Sequence, residues 1–90
     1  MSKARWQVII HRKAEKIIKR LDGDILERIR RAIRELTYEP RPSGVKKLVG
    51  HENLYRIRVG DWRIIYAIED DKLIVLVLEI SPRGAVYRDL

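Results

Sequence analysis

The spacing of hydrophobic residues changes along the chain, and each change marks a predicted element. Residues 5–11 place β-branched and aromatic side chains in a row, which predicts a strand. From residue 12 the apolar positions recur at helical spacing, and Asp-Gly-Asp at 22–24 separates this helix from a longer one, which ends before Pro40. The apolar stripes are formed by Ala14, Ile17, Ile18 and Leu21 in the first helix and by Ile25, Leu26, Ile29, Ala32, Ile33 and Leu36 in the second.

The second half of the chain follows the pattern of β-strands. We expect a short strand at 45–49, an alternating strand at 55–59, its partner at 62–68 and a further strand at 72–80. The last of these is apolar on both faces, which predicts an interior position in the sheet. The order β-α-α-β-β-β predicts an α+β fold, with a helical hairpin packed on one face of a small, mostly antiparallel sheet. The length suits one such domain, over residues 1–90.

The hairpin around Gly60 and Asp61 predicts the register of two strands. If these two residues form the loop, Arg58 lies opposite Arg63 on the paired strand. One face then holds only apolar and aromatic residues and packs under the helices: Tyr55, Ile57, Val59, Trp62, Ile64, Tyr66 and Ile68. The opposite face carries Arg56, Arg58 and Arg63 together.

Three guanidinium groups in this arrangement are unfavourable unless something neutralises them. Directly opposed residues have Cβ atoms about 4.5–5.5 Å apart, and like charges at that distance destabilise a sheet. An anion, with phosphate as the first candidate, completes such a site through charge-assisted hydrogen bonds. The alternative is a solvated face on which the long side chains diverge, or on which Asp61 or a distant acid neutralises them.

Composition favours a polyanionic partner. Twenty Lys and Arg against thirteen Asp and Glu give a net charge of +7, with a pI near 10.1. Nucleic acid is the first candidate and an anionic membrane surface the second. No cysteine is present and only two histidines, so we expect no metal and no cofactor. No apolar run approaches the roughly 20 residues of a membrane span, and no signal-peptide core is visible, which predicts a cytoplasmic protein that spans no membrane. Of the two candidate partners we therefore expect nucleic acid and no membrane.

Two further basic groups lie outside this hairpin. Lys46 and Lys47 precede the arginine-bearing strand and either extend a phosphate track or form a solvated loop pair. The second helix carries a run of arginines interleaved with Glu27 and Glu35, which we interpret as a solvated face. This run consists of Arg28, Arg30, Arg31 and Arg34.

Three segments of the chain resemble the RelE/ParE toxin superfamily, specifically its RelE branch of mRNA-cleaving toxins. They are Lys-Leu-Val-Gly at 47–50, the long block at 54–66 and Arg-Gly-Ala-Val-Tyr-Arg at 83–88. The resemblance covers nearly the whole chain. It implies a toxin of a type II toxin–antitoxin system that a cognate RelB-like antitoxin holds inactive. It also implies cleavage of mRNA in the ribosomal A site without a metal ion.

The resemblance also implies site residues. The basic positions of the family correspond to Arg56, Arg58, Arg63 and Arg83, and its C-terminal tyrosine corresponds to Tyr87. We assign RNA binding to Lys46, Lys47 and Arg88. Two departures stand out: positions that are lysine in some members are arginine here, and the sequence ends three residues after the tyrosine, where several relatives continue into a helix.

The chemistry implied by the resemblance divides these residues by role. Arg63 and Arg83 are expected to stabilise the charge on the phosphate under attack, while Arg56 and Arg58 position the RNA backbone. Tyr87 acts as a base, stacks on a nucleobase, or anchors the C-terminal segment to the sheet. Two other functions stay open: inhibition of DNA gyrase, as in the ParE branch, and RNA binding without catalysis.

Overall fold

The predicted α+β order is confirmed in the computed structural model, which describes residues 5–82. The elements are β1 (Gln7–Ile10), α1 (Arg12–Arg20), α2 (Gly23–Glu35), β2 (Lys46–Lys47), β3 (Leu54–Val59), β4 (Trp62–Glu69) and β5 (Ile74–Pro82). The strand expected at 45–49 is reduced to two residues by turns on both sides. The last strand begins two residues later than expected, because Leu73 adopts a left-handed conformation (φ 55°) in the preceding turn.

The sheet has the order β1-β5-β4-β3-β2. β1 pairs with β5 in parallel, and the other pairings within the described residues are antiparallel. β5 thus lies between two strands, as its apolar faces predict. The hairpin of β3 and β4 has the predicted register, with Arg58 opposite Arg63 and Val59 opposite Trp62.

Both helices begin directly after short connections and pack on one face of the sheet. His11 caps α1, since its Nδ1 accepts a hydrogen bond from the backbone N–H of Lys13 at 3.1 Å. Asp22 occupies the N-cap position of α2 without a side-chain hydrogen bond to the helix. Ala14 of α1 and Ile29 of α2 are fully buried, so each helix turns its apolar stripe towards the strands.

The core lies between the helices and the alternating face of the strands. Its members from β3, β4 and β5 are Ile57, Val59, Ile64, Tyr66, Ile68, Val75, Val77 and Ile80. Trp6 and Trp62 pack against this cluster while partly buried, and Trp62 lies on the apolar face predicted for it. Burial of one face leaves the other side chains of β3 and β4 on the opposite side of the sheet.

A β-bulge in β5 changes which residues face the core. Pairing between β4 and β5 runs regularly up to Tyr66 opposite Val77, and the next pair is Ile65 opposite Glu79, so Leu78 is the additional residue. Strict alternation from Val77 would turn Glu79 into the core and Ile80 out of it. With the bulge, Ile80 is 2% exposed and Glu79 lies on the face of the arginines.

Arg41 connects the segment after α2 to the turn between β4 and β5. Its guanidinium donates to both carboxylate oxygens of Asp70, at 3.1 and 2.8 Å, and its Nε donates to the Tyr55 hydroxyl at 3.3 Å. Tyr55 stacks on Tyr66, whose buried hydroxyl donates to the carbonyl oxygen of Pro40 at 2.7 Å. We call Arg41, Asp70, Tyr55 and Tyr66 the loop clamp, because together they fix the start of the segment between α2 and β2.

Within residues 5–82 no helix is long and apolar enough to cross a bilayer.

The loop clamp predicts an acid-dependent loss of stability. The hydrogen bonds from Arg41 lower the pKa of Asp70 from its ordinary value of 3.8. A carboxylate whose pKa is lower in the folded state contributes stability above its unfolded pKa, and this contribution is lost as the pH falls through the folded value. The variant Asp70→Asn should therefore be less stable than the parent protein at pH 7, with a difference that shrinks progressively below pH 3.8.

Urea unfolding across this pH range measures the effect. Asp71→Asn is the matched control, because Asp71 is an exposed carboxylate in the same turn and makes no ion pair within the described residues. An Asp70→Asn deficit that stays constant down to pH 2 would contradict the ion-pair explanation.

Candidate phosphate-binding site

Basic side chains from three strands meet on the sheet face opposite the helices. One row across the sheet contains Arg58, Arg63 and Ser81, which are paired in register from β3 to β5. The next row contains Lys46, Arg56, Ile65 and Glu79. Pleating directs paired residues to the same face, so the three predicted arginines lie together with Lys46. We call Lys46, Arg56, Arg58 and Arg63 the cationic cluster.

Arg56 is held differently from Arg58. Arg58 is exposed, whereas Arg56 is half-buried, and its Nε is inaccessible to solvent and has no hydrogen-bond partner among residues 5–82. A buried donor with no acceptor is costly, and it is typical of a site that a ligand completes. An anion seated against Arg56 would supply acceptors for this guanidinium.

A cavity of about 380 Å³ lies beside the cationic cluster. Its lining residues are Ser43, Gly44, Lys46, Arg56, Ile57 and Arg58. Positive charge dominates this lining, and the Ser43 hydroxyl adds a neutral donor. The cavity therefore suits a phosphate group and the sugar attached to it.

Glu79 and Ser81 are members of this face that sequence reasoning missed. Both reach it through the bulge at Leu78, which regular alternation does not reveal. The sequence contains a signal for this bulge, since regular alternation along β5 would bury Glu79 in the core with Val75 and Val77. Glu79 places a carboxylate on the face of the arginines, and neutralisation of the arginines by a distant acid stays a prediction.

The remaining predicted residues divide between the other face and the undescribed segment. Lys47 lies opposite Tyr55, so its side chain projects on the helix side of the sheet, away from the cationic cluster. Arg83, Tyr87 and Arg88 lie outside the described residues, and their roles stay predictions. Arg28, assigned to a solvated face, is exposed, yet its guanidinium lies against the turn of β3 and β4 at Gly60.

Across residues 5–82, no three His, Cys, Asp or Glu side chains come together as a possible set of metal ligands. The polar groups in the two rows that contain the cationic cluster are guanidinium, ammonium, the hydroxyl of Ser81 and the carboxylate of Glu79.

Comparison with known proteins identifies the family. A family model described as the ParE toxin of the type II toxin–antitoxin system parDE matches residues 8–87. The chain belongs to the RelE/ParE toxin superfamily. A relative from Methanocaldococcus jannaschii, with the name "Putative toxin RelE1", is 30% identical to this toxin in an alignment of 88 positions that covers 94% of this chain and 98% of the relative.

Solved structures of RelE toxins share the fold of this toxin. The archaeal RelE–RelB complex from Pyrococcus horikoshii OT3 contains a chain that is 32% identical, with a TM-score of 0.80 over 91% of this toxin and 99% of that chain. The isolated E. coli RelE toxin gives a TM-score of 0.77 at 22% identity, over 90% of this toxin and 87% of that chain. At that identity the second comparison concerns the fold alone.

The opposed pair of Arg58 and Arg63 predicts a conflict between stability and binding. Replacing Arg58 by Thr removes one of two like charges and introduces a residue that favours strands. In low salt, Arg58→Thr should be more stable than the parent toxin by about 0.2–1 kcal/mol, and the gain should fade in about 1 M salt, where charges are screened within about 3 Å.

Chemical denaturation with urea at low and high salt measures this difference. Arg58→Lys is the matched control, since it retains the charge and should show no such gain. A lower stability of Arg58→Thr in low salt would contradict the view that this pair is held together at a cost.

Proposed function

We propose that this toxin is a ribosome-dependent endoribonuclease that cleaves mRNA without a metal ion. The observation that carries the proposal is the cationic cluster, which gathers three guanidinium groups and an ammonium group from separate strands beside a cavity of about 380 Å³. Arginines fixed on strands of a rigid sheet suit the recognition of a phosphodiester better than those on mobile loops. Membership in the RelE/ParE superfamily supports the same assignment.

The proposed reaction uses the substrate as its own nucleophile. The 2′-oxygen attacks the adjacent phosphorus after loss of its proton, and the bond from phosphorus to the 5′-oxygen of the next nucleotide breaks. The leaving oxygen takes up a proton, so the products are a 2′,3′-cyclic phosphate and a free 5′-hydroxyl. The barrier therefore comprises removal of one proton, added charge on phosphorus and delivery of another proton.

The cationic cluster addresses the added charge. Arg63 faces Arg58 across the hairpin and is assigned to the non-bridging oxygens, whose negative charge grows as the 2′-oxygen attacks. Arg56 and Arg58, which line the cavity, are assigned to the backbone on either side. One oriented donor in such a site contributes about 3–4 kcal/mol, or a factor of 10²–10³ in rate.

Other steps are assigned to residues known from the sequence alone. Arg83 is the second proposed donor to the reacting phosphate, and Tyr87 is the proposed base or stacking platform. Arg88 is assigned to RNA binding. Arginine is a poor proton acceptor because it stays charged, so the ribosome is proposed to supply part of the orientation that makes the 2′-oxygen reactive. Activity on translated mRNA implies a cytoplasmic site of action.

The proposed regulator is a RelB-like antitoxin. Relatives from Pyrococcus horikoshii and Methanocaldococcus jannaschii, 32% and 26% identical to this toxin, were solved in complex with RelB. The charge of +7 favours a partner segment rich in Asp and Glu, which would compete with RNA for the basic face.

Inhibition of DNA gyrase is the second candidate function. It is favoured by the family model, whose description is that of ParE toxins. The two candidates differ in their product, since a gyrase inhibitor leaves translated mRNA intact.

Substitution of Arg63 tests the nuclease proposal. Arg63→Ala should lower mRNA cleavage about 10²–10³-fold, because one donor to the charge developing on the phosphate is lost. The measurement is primer extension on a message translated in a reconstituted system, where the parent toxin should give cuts inside codons. Circular dichroism and thermal unfolding establish that the variant is folded.

The control is Arg30→Ala on the exposed face of α2, which removes the same charge from the toxin and should cleave like the parent. Intact message with the parent toxin, together with inhibition of purified gyrase, would favour the second candidate. Full activity of folded Arg63→Ala would remove this arginine from the reaction.

A further inference from the structure

A second and larger cavity adjoins the proposed phosphate site. It has a volume of about 670 Å³ and lies between α2 and β3. Its lining residues are Ala32, Glu35, Tyr38, Glu39, Pro42, Ser43, Ile57 and Arg58. Three of these, Ser43, Ile57 and Arg58, also line the cavity beside the cationic cluster, so the two spaces adjoin along these residues. We call the larger one the α2–β3 cleft.

The cleft exists because β2 is short. Its two residues pair with Tyr55 and Arg56, so no described strand continues alongside residues 57–59 at this edge of the sheet. The space is closed instead by the end of α2 and by the segment that follows it, residues 36–45. Arg58 thus lines the cleft at the open edge of β3.

The lining of the cleft combines one cation with apolar, aromatic and acidic residues. Ala32, Pro42 and Ile57 provide apolar surface, and Tyr38, which is 50% exposed, adds an aromatic ring. Glu35 and Glu39 contribute carboxylates, which only accept hydrogen bonds when ionised. A ligand that fits both cavities therefore carries negative charge at one end and a flat group with N–H donors at the other.

The segment that forms the cleft is held in place before any ligand arrives. The Glu39 carboxylate accepts a hydrogen bond from the backbone N–H of Arg41 at 3.0 Å, and the backbone N–H of Glu39 donates to the carbonyl oxygen of Glu35 at 3.0 Å. Arg41 in turn belongs to the loop clamp that joins it to Asp70. The Glu39 carboxylate and the backbone of this segment are thus oriented in advance, which lowers the entropy lost on binding.

We propose that the α2–β3 cleft is a nucleobase subsite that prefers guanine next to the phosphate bound by the cationic cluster. The inference rests on the proposed RNA substrate and adds to it which base is selected. Guanine presents two neighbouring donors, N1–H and the 2-amino group, to one carboxylate. Adenine and cytosine present an amino group beside an acceptor, and uracil presents one N–H between two carbonyl groups. Tyr38 adds stacking, which every base can use.

A protein segment fits these observations less well. A basic peptide side chain would match Glu35 and Glu39, but the same segment would then meet Lys46, Arg56 and Arg58 in the adjoining cavity. The cationic lining of one cavity and the carboxylates in the lining of the adjoining one match a nucleotide, whose phosphate is charged and whose base is a neutral donor.

The test uses four trinucleotides of the form A-N-A with 2′-O-methyl groups, in which the central base is G, A, C or U. Methylation blocks the 2′-oxygen, so binding is measured without cleavage. Titrations of the full-length toxin followed by ¹H–¹⁵N NMR give the dissociation constants and report on Ala32 and Ser43 in the cleft. The G trinucleotide should bind about fivefold more tightly than each of the others or better, as expected for a bidentate pair with a base edge.

Two variants separate base selection from stacking. Glu35→Gln combined with Glu39→Gln should abolish the preference for guanine, while the other trinucleotides bind no more weakly than before. Tyr38→Ala should weaken all four by a similar factor, on the order of tenfold. The matched control, Glu15→Gln combined with Glu27→Gln, makes the same change in charge at exposed positions outside the cleft and should keep the preference.

Each contrary outcome has a defined meaning. Equal affinity for all four trinucleotides, or a preference that survives Glu35→Gln with Glu39→Gln, would overturn the subsite. NMR chemical-shift changes confined to residues outside the cleft would overturn the subsite as well. They would leave the cleft as a surface for a protein partner. A guanine preference without cleavage of translated mRNA would support the subsite and reject the nuclease, whereas cleavage without any preference would reject the subsite alone.

Discussion

The alternation of side chains along β3 and β4 is the constraint on which the rest of the structure depends. Ile57, Val59, Ile64 and Tyr66 must lie under the helices, because their burial supplies much of the hydrophobic core. Once these residues occupy the core face, the residues between them must lie on the opposite face of the sheet, since a shift by one residue would expose the core and bury the arginines. The free energy of folding therefore enforces the placement of Arg56, Arg58 and Arg63 on one surface, although their mutual repulsion opposes it.

The β-bulge at Leu78 resolves the conflict between this alternation and the sequence of β5. Without the additional residue, a charged Glu79 would enter the core and an isoleucine would leave it. With it, Ile80 completes the core, while Glu79 and Ser81 join the polar face. A single irregularity thus stabilises the interior and brings a carboxylate and a hydroxyl beside the guanidinium groups. Bulges are frequent next to active sites, where they redirect a side chain at the cost of a local break in the ladder.

The features that the sequence predicted are those governed by local pattern. Gly60 and Asp61 set the loop of the hairpin, so Arg58 opposite Arg63 followed from two-residue spacing, and the helices followed from their apolar stripes. The features that it did not predict depend on contacts between distant segments. Lys47 projects to the helix side because it pairs with Tyr55. The two residues of β2 alone do not specify this register. The loop clamp joins Arg41 to Asp70 across 29 positions, and the α2–β3 cleft exists only because the short β2 leaves one edge of β3 open. The sequence pattern predicts a solvated position for Arg28, and only the packing of α2 places its guanidinium against Gly60.

The central claim is that guanidinium groups from different strands bind one phosphodiester. A double-mutant cycle on RNA binding tests it most directly, with Arg56→Gln, Arg63→Gln and the combined variant titrated against a 2′-O-methyl RNA. These residues lie on neighbouring strands but are not paired with one another, so coupling in the cycle reports on a shared ligand more than on direct contact. The account predicts that the combined loss of binding free energy departs from the sum of the single losses by about 0.5 kcal/mol or more. The same cycle with Arg56→Gln and Arg30→Gln should be additive, and additivity of Arg56 with Arg63 as well would contradict a common phosphate.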